Sequence, residues 1–521
     1  MSSRPRWDPR FRDCTTALTI DGVPERAGLV RLLEGADRYR AISAATPGET
    51  VALLEYLLAL CYAADCYPET AGEWLRWVQD RKPLQPATEW LKGQPDAAWD
   101  LFDPIQPLGQ NALLAPHLAE HGVGPAQLVM ERAGDYNQFF DHHHLEHPEP
   151  LPADAAFRAM LTQHAYGPGM RGRISGALLG PTLNNLATGR LAARVRVLAL
   201  GDTLGDTLRL NLQPHASEPG RLNYSWTDRP RRGFTSKPAG RTPDGPADLH
   251  SFLGRSILLR PAVTADGGPA VDRVLIGAGD LLAPLSEAFL QDAVLRNYGK
   301  TNGPLRPSVS RHLWRESHAL YAAVAERQKG SDLYGRLAML TGRPVTLWAV
   351  GLASESNKIA TWVSDHFPFV PGRQIELRRV AEAGSQMAEY TADALGKAAY
   401  TASSIAYPNP KPSDKKVQLA RFDATSEHWA ATADPFHALL EATAHSEPVD
   451  ESLARYGQTL VTNADRLLQL RLDSLPPNSR GFQARSQANA RLHAVFTTAK
   501  APHHLKEAGS DDHQDSASAT G

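Results

Sequence analysis

Cysteine is scarce in this 521-residue chain, which has only Cys14, Cys61 and Cys66. These are too few and too scattered for a disulfide framework, and Cys61 and Cys66 lack the paired spacing of a zinc ribbon. Reduced cysteines in a cytoplasmic protein are the expectation. Long apolar runs are missing as well. The most apolar stretch, Val51 to Cys66, is interrupted at Glu55 and falls short of a membrane span, so it reads as a buried core helix. Met1–Arg12 is polar and arginine-rich with no apolar run behind it, so no signal peptide is predicted. Nor is there an excess of positive charge. The formal net charge is −2, so any nucleic-acid surface must be built from local charge. Catalytic signatures are wanting too: there is no G-x-S-x-G elbow, no G-x-x-x-x-G-K-[ST] loop and no Rossmann fingerprint behind a strand. No catalytic residue and no cofactor is assigned.

What is present is an ordinary globular composition, 42% apolar and 21% charged, on a chain too long for one core. The first ~110 residues read mainly as helical by apolar spacing. Thr46-Pro47-Gly48-Glu49 supplies an N-cap, a first-turn proline and the acid of a capping box. Trp74, Leu75, Trp77 and Val78 mark the next helix, and residues 104–152 read as loop-rich. Strands are predicted at Leu191–Leu200 and at Ser256–Val263 paired with Val271–Ile276 through the turn Asp266–Gly268. Thr207–Leu212 reads as a short strand or helix end, and Val345–Val350 and Gln374–Leu377 as the last strands. Helices are predicted at Leu282–Asn297 and Ser310–Arg327. Beyond Arg379 the pattern is helical throughout, over Val380–Ala406, Val417–Ala444, Val449–Leu475 and Asn478–Thr498, with Pro-containing breaks between. Long amphipathic helices with short connections predict an antiparallel four-helix bundle. Glu507–Gly521 is acidic, small and polar, and reads as a disordered tail. The fold class is thus α+β: a large mixed domain over 1–378, a four-helix bundle over 379–502 and a tail over 503–521.

Charge is distributed unevenly. No Asp or Glu occurs between Ala155 and Gly201, a stretch holding Arg158, Arg171, Arg173, Arg190, Arg194 and Arg196. Within it, Tyr166-Gly167-Pro168-Gly169-Met170-Arg171-Gly172-Arg173 combines missing side chains with two guanidinium groups. Glycines let a backbone approach a phosphate or groove floor, and arginines neutralise phosphates and favour narrow minor grooves. The same segment also fits a plain solvated loop. A second basic loop carries Arg229, Arg231, Arg232, Lys237 and Arg241, where the solvated-loop reading is favoured. His143, Glu146 and His147 match the zinc motif H-x-x-E-H, but that chemistry needs a continuous helical turn. Pro148 follows directly and Pro150 and Pro152 continue the interruption, so no metal is assigned.

Several segments, in order along nearly the whole chain, resemble the CasA-type large subunit of type I-E CRISPR Cascade. Gly134–His142 is similar to the family loop G-N-N-x-x-L-F-D-H, and Leu198–Leu212 to G-D-T-L-x-x-T-L-x-L-N-L. Gly245–Leu259 resembles G-P-x-D-L-L-T-W-x-S-R-R-x-x-L, and Gly351–Lys358 resembles G-L-x-x-N-Q-A-K. The resemblance implies a non-catalytic, cytoplasmic subunit with no membrane association. Such a subunit recognises the protospacer-adjacent motif in double-stranded target DNA, helps open the duplex for crRNA pairing and recruits a separate helicase-nuclease or other effector. Its implied partners are the crRNA and the backbone, crRNA 5′-end and small subunits of Cascade. By resemblance, the glycine loop comprises Gly167, Gly169, Arg171, Gly172 and Arg173, the basic finger is Arg255, and the wedge is Ser356, Asn357 and Lys358. Asp135, Tyr136, Asn137, Gln138, Phe139 and Phe140 form the implied crRNA- and complex-anchoring loop. Minor-groove contacts discriminate poorly, which suits a short, relaxed motif, and a wedge must offset a few kcal/mol of unstacking. The chain departs from the family pattern at Asp135-Tyr136, where paired asparagines stand in the family, and at Glu355, which puts a carboxylate beside the wedge. Two alternatives stay open: a scaffold of a crRNA ribonucleoprotein that reads no motif, and a zinc-dependent hydrolase centred on His143 and His147.

Overall fold

The structure, a computed structural model, describes residues 5–132, 149–171, 185–229, 240–286, 289–297, 302–326, 328–355 and 358–518. The chain forms two compact units, Met1–Leu313 with Glu326–His366, and Trp314–Ala325 with Phe367–Gly521. Mixed helix and strand in the first and helices in the second make it α+β, as the sequence predicts.

The first unit opens on a sheet, where helix was expected. Strands β1 (Thr15–Thr19), β2 (Pro24–Ala27) and β3 (Tyr39–Ser43) pair antiparallel in the order β2-β1-β3. The inward residues of β1 are Thr15, Ala17 and Thr19, so its alternation is one of small side chains that no hydropathy pattern displays. The core helix Pro47–Ala63 follows, buried on nearly every side as its apolar run predicts. Its start is the predicted one: the Thr46 hydroxyl accepts from the Glu49 N–H at 3.2 Å. The Glu49 carboxylate accepts in return from Ala45, one residue before the cap.

Short β4 (Leu151–Pro152) precedes a 14-residue helix, Ala153–Tyr166, which packs on the core helix. Next come β5 (Met170–Arg171) and β6 (Asn185–Leu186), which pair with each other, and β7 (Arg196–Leu200). The predicted strand Leu191–Leu200 is thus only half strand, because the Leu191 N–H is taken by Ala165 O and Ala192 turns back on Gly189. Thr207–Asn211 belong to the helix Leu204–Asn211, with Leu212 as its C-cap, and the N-cap Thr203 accepts from the Asp206 N–H. The β8 (Arg255–Val263) and β9 (Pro269–Ala278) hairpin forms as predicted, with Ile257 opposite Ile276 and Gly267 at φ +85° in the turn.

Leu282–Asn297 forms no α-helix among its described residues. Its backbone bonds go to distant segments, Ala293 N to Gly330 O and Leu305 N to Val294 O. Its end is β10 (Leu295–Asn297), which pairs with β11 (Asn302–Pro304). The unit closes on β12 (Val345–Glu355), antiparallel to β7, and β13 (Lys358–Phe369), giving the sheet β13-β12-β7. The second of these long strands carries Asp365, His366 and Ser364 among its apolar residues, and the sequence reading missed it.

In the second unit, four long helices span Gln374–Ala406, Thr425–Ala444, Val449–Leu472 and Ser479–Phe496. Gln374–Leu377, expected as a strand, is the first turn of the 33-residue helix. Buried Leu377, Val380, Ala381 and Gly384 recur there at helical spacing. Val417–Ala444 divides into Lys415–Ala420 and Thr425–Ala444, with the Asp423 carboxylate accepting from the Thr425 N–H at 2.9 Å. Trp314, from an earlier part of the chain, is buried here against Phe436 and Trp429, with ring centroids 5.0 and 5.9 Å away. The expected tail is instead a helix, His503–Ser518, anchored by buried Leu505 and Ala508. Among the described residues no helix is long and apolar enough to cross a membrane.

Candidate nucleic-acid interface

The helix Ala153–Tyr166 ends directly before the glycine segment, and Gly167 caps it by donating to Gln163 O. From there the chain leaves as one leg of a hairpin and returns at Asn185. The base of the hairpin is pinned where Gly189 N donates to Gly167 O at 2.8 Å, and above it Met170 faces Leu186 and Arg171 faces Asn185. Arg171 and Met170 are exposed. Gly172 and Arg173 lie outside the described residues.

The glycines serve close packing at this base. A Cβ on Gly167 would fall 2.5 Å from the Nε and Nη2 of Arg255, and one on Gly189 2.6 Å from Ala165 O. On Gly169 it would meet the Thr188 hydroxyl at 2.9 Å. The close approach expected toward a ligand is therefore, at these positions, an approach of one protein segment to another.

Arg255, expected as an exposed basic finger, is 1% exposed. Its Nη1 donates to Ala187 O at 2.7 Å and Gly254 O at 2.9 Å, and its Nη2 to Pro168 O at 2.7 Å. Its backbone N–H donates to His164 Nδ1, so the His164 proton sits on Nε2, which donates to Gly109 O. The guanidinium thus faces inward, held by carbonyls on both legs of the hairpin.

The remaining arginines of the acid-free stretch also turn inward. Arg158 lies against Glu49 and Asp154 at 3.2 and 3.1 Å and donates to Cys14 O. Glu55, on the core helix and 1% exposed, receives Arg190 at 2.6 Å, Arg196 at 2.9 Å and His250 Nδ1 at 2.8 Å. Burial alone would raise the Glu55 carboxyl, but the charges of Arg190 and Arg196 hold it well below the usual carboxylate range. Asp292 takes Arg194 at 3.0 Å, the other side of Arg196 at 2.8 Å and the Val197 N–H at 2.8 Å, and it too is held low against the effect of burial. In the second basic loop, Arg229 pairs with Asp244, and Arg241 with Asp248 and Asp280. Asp248 is pushed down to about 2, burial being outweighed by its bonds to Arg241 and Asn223. Arg231, Arg232 and Lys237 lie outside the described residues.

Of the candidate wedge, Ser356 and Asn357 lie outside the described residues, as does the side chain of Lys358, whose backbone begins β13. Trp362 of β13 connects this strand to its surroundings. It packs edge-on to Tyr166, the residue before Gly167, at 4.8 Å and 89°. Its indole N–H donates to the Glu131 carboxylate, and its ring passes so close to Gly48 that a Cβ there would lie 2.0 Å from it. The sequence reading missed Trp362, since a lone tryptophan in a strand carries no signal of what it touches. The anchoring loop Asp135–Phe140 lies outside the described residues, as do His143, Glu146 and His147.

A mixed sheet-and-helix unit and a helical bundle, with Trp362 of the long β13 packed on Tyr166 just before the glycine segment, make up a fold of the CasA kind. Three solved structures share the fold. The chain matches CasA of Thermus thermophilus at TM-score 0.76 with 19% identity, covering 94% of this chain and 99% of that one. It matches Cse1 of Acidimicrobium ferrooxidans at TM-score 0.75 with 21% identity over 98% and 99%. A chain of a structure described as a CRISPR RNA-guided surveillance complex matches at TM-score 0.69 with 18% identity over 94% and 99%. No curated protein sequence matches. The model of the family CRISPR-associated protein Cse1 spans residues 16–467, and the chain belongs to that family.

Proposed function

We propose that this protein is the large subunit of a type I-E-like Cascade complex, without catalysis of its own. In this reading it inspects the protospacer-adjacent motif in double-stranded DNA, helps open the duplex for crRNA pairing and recruits a separate effector. Membership of the Cse1 family and likeness to a chain of an RNA-guided surveillance complex support the assembly. The observation that carries the DNA-reading part is the selective exposure of Arg171. It stands in a strand pair whose base is closed by the Gly189–Gly167 bond, while Arg158, Arg190, Arg194 and Arg196 are paired inward. A cation held on a fixed hairpin and open to solvent can neutralise phosphate or enter a narrow minor groove. In this reading the wedge enters the opened duplex, and the contact of β13 with the same region through Trp362 and Tyr166 supports a joint action of the two segments.

The test is target binding by the reconstituted crRNA complex, with and without this chain, on duplexes that match the guide and differ only in flanking motif. We expect the chain to add affinity that depends on the flank, and Arg171→Glu or Asn357→Ala to remove it. Equal added affinity for every flank would replace motif reading with the scaffold role.

A further inference from the structure

We propose that Arg255 is a positioning residue that fixes the mouth of the glycine hairpin from inside the fold and acts on DNA only through that hairpin. This rests on the reading of Arg171 given above. Three carbonyls from separate points of the chain converge on one guanidinium: Pro168 on the outgoing leg, Ala187 on the returning leg and Gly254 beside β8. A planar fork of fixed N–H directions can span the two legs and set their separation, whereas an ammonium is a point donor on a flexible stem. The packing around it is close. Gly167 must lack a side chain for the guanidinium to lie where it does, and a Cβ on Gly279 would fall 2.2 Å from the Arg255 backbone nitrogen. For Arg255 to reach DNA, it would have to vacate these bonds and leave buried Pro168 O, and half-buried Ala187 O and Gly254 O, short of a donor, which is unfavourable.

A finger and a clamp predict opposite results. A finger tolerates lysine, because a phosphate or groove floor accepts either cation. A clamp does not tolerate lysine, and it is also broken by Gly167→Ala, which changes no charge. We would measure binding of the reconstituted complex to matched and mismatched flanks over a salt series for Arg255→Lys, Gly167→Ala and wild type. In the same proteins we would follow hydrogen exchange of the Gly189 and Leu191 amides, which bond to Gly167 O and Ala165 O. We expect both variants to lose flank discrimination by about tenfold, near 1.4 kcal/mol in binding terms, with an unchanged salt slope. Exchange at Gly189 should quicken in both. The clamp is overturned if Arg255→Lys binds as wild type while Arg255→Ala lowers the salt slope by about 0.9, the signature of one lost phosphate contact. Unchanged Gly189 exchange in both variants overturns it as well. Because exchange is read without DNA, absence of flank dependence in the wild-type complex would defeat the motif reading alone, and the exchange result would still decide the clamp.

Discussion

Arg171 and Arg196 come from the same acid-free stretch, yet one is exposed at a hairpin and the other is buried between two carboxylates. Local composition therefore says little about where positive charge ends up. The acids that neutralise Arg158, Arg190, Arg194 and Arg196 lie on the core helix (Glu49, Glu55), at the start of the helix that carries Arg158 (Asp154) and nearly a hundred residues downstream (Asp292). Among the described arginines of the stretch, Arg171 alone is exposed. Buried arginines of this kind contribute rigidity where they are fully paired, and in the proposed reading exposed Arg171 is the one available to a phosphate.

The sharpest way to break this contrast is to remove the inward partner. Glu55→Ala leaves Arg190, Arg196 and His250 around an empty position, and a loss of about 3–5 kcal/mol is expected by denaturant unfolding. A loss under 1 kcal/mol would mean that the arginines find water, and the contrast with Arg171 would dissolve.

The helical unit supplies a control with no carboxylate hub. His428 is buried, bonds to Ala388 O, and is pushed down to about 4 by burial. Its pKa is lower folded than unfolded, so the unfolded chain takes up the proton first as pH falls. The stabilisation is complete above pH ~6.5 and drains away toward pH 4, on the order of 3 kcal/mol in all. His428→Gln should remove that slope, measured as the difference in unfolding free energy between the variant and the parent at pH 7.5 and 5.

A smaller effect is expected at Trp362→Phe, which keeps the ring against Tyr166 and deletes the bond to Glu131. About 1 kcal/mol should be lost in thermal or denaturant unfolding. The smallest belongs to Arg171→Ala, within ~0.5 kcal/mol in stability, since an exposed side chain supports nothing beneath it. A large loss there would assign Arg171 to the fold and withdraw it from the surface.

Periodicity and caps were legible wherever local physics decides. Thr46 and Glu49 start the core helix, Asp266–Gly268 turns the β8–β9 hairpin, and the proline-punctuated helices after Arg379 form the bundle. Elements that rely on partners far away were misread. The strands before residue 45 bury threonine and alanine, Leu282–Asn297 gives its backbone bonds to remote loops, and His503–Ser518 is helical because Leu505 and Ala508 are covered. At the candidate site the glycines and Arg171 were visible as types, and the family resemblance ordered them. The inward role of Arg255 and the junction at Trp362 were not visible.

The sequence by itself determined the α+β division, the helical C-terminal region and the family, because apolar spacing, capping residues and motif order are properties of neighbouring residues. Only the tertiary structure decided which arginines are free, since the energy of a charge depends on the acids and carbonyls the fold brings within about 3 Å and on the water it excludes. Arg171 and Arg255 are the same side chain, and the fold gives one to solvent and the other to three carbonyls.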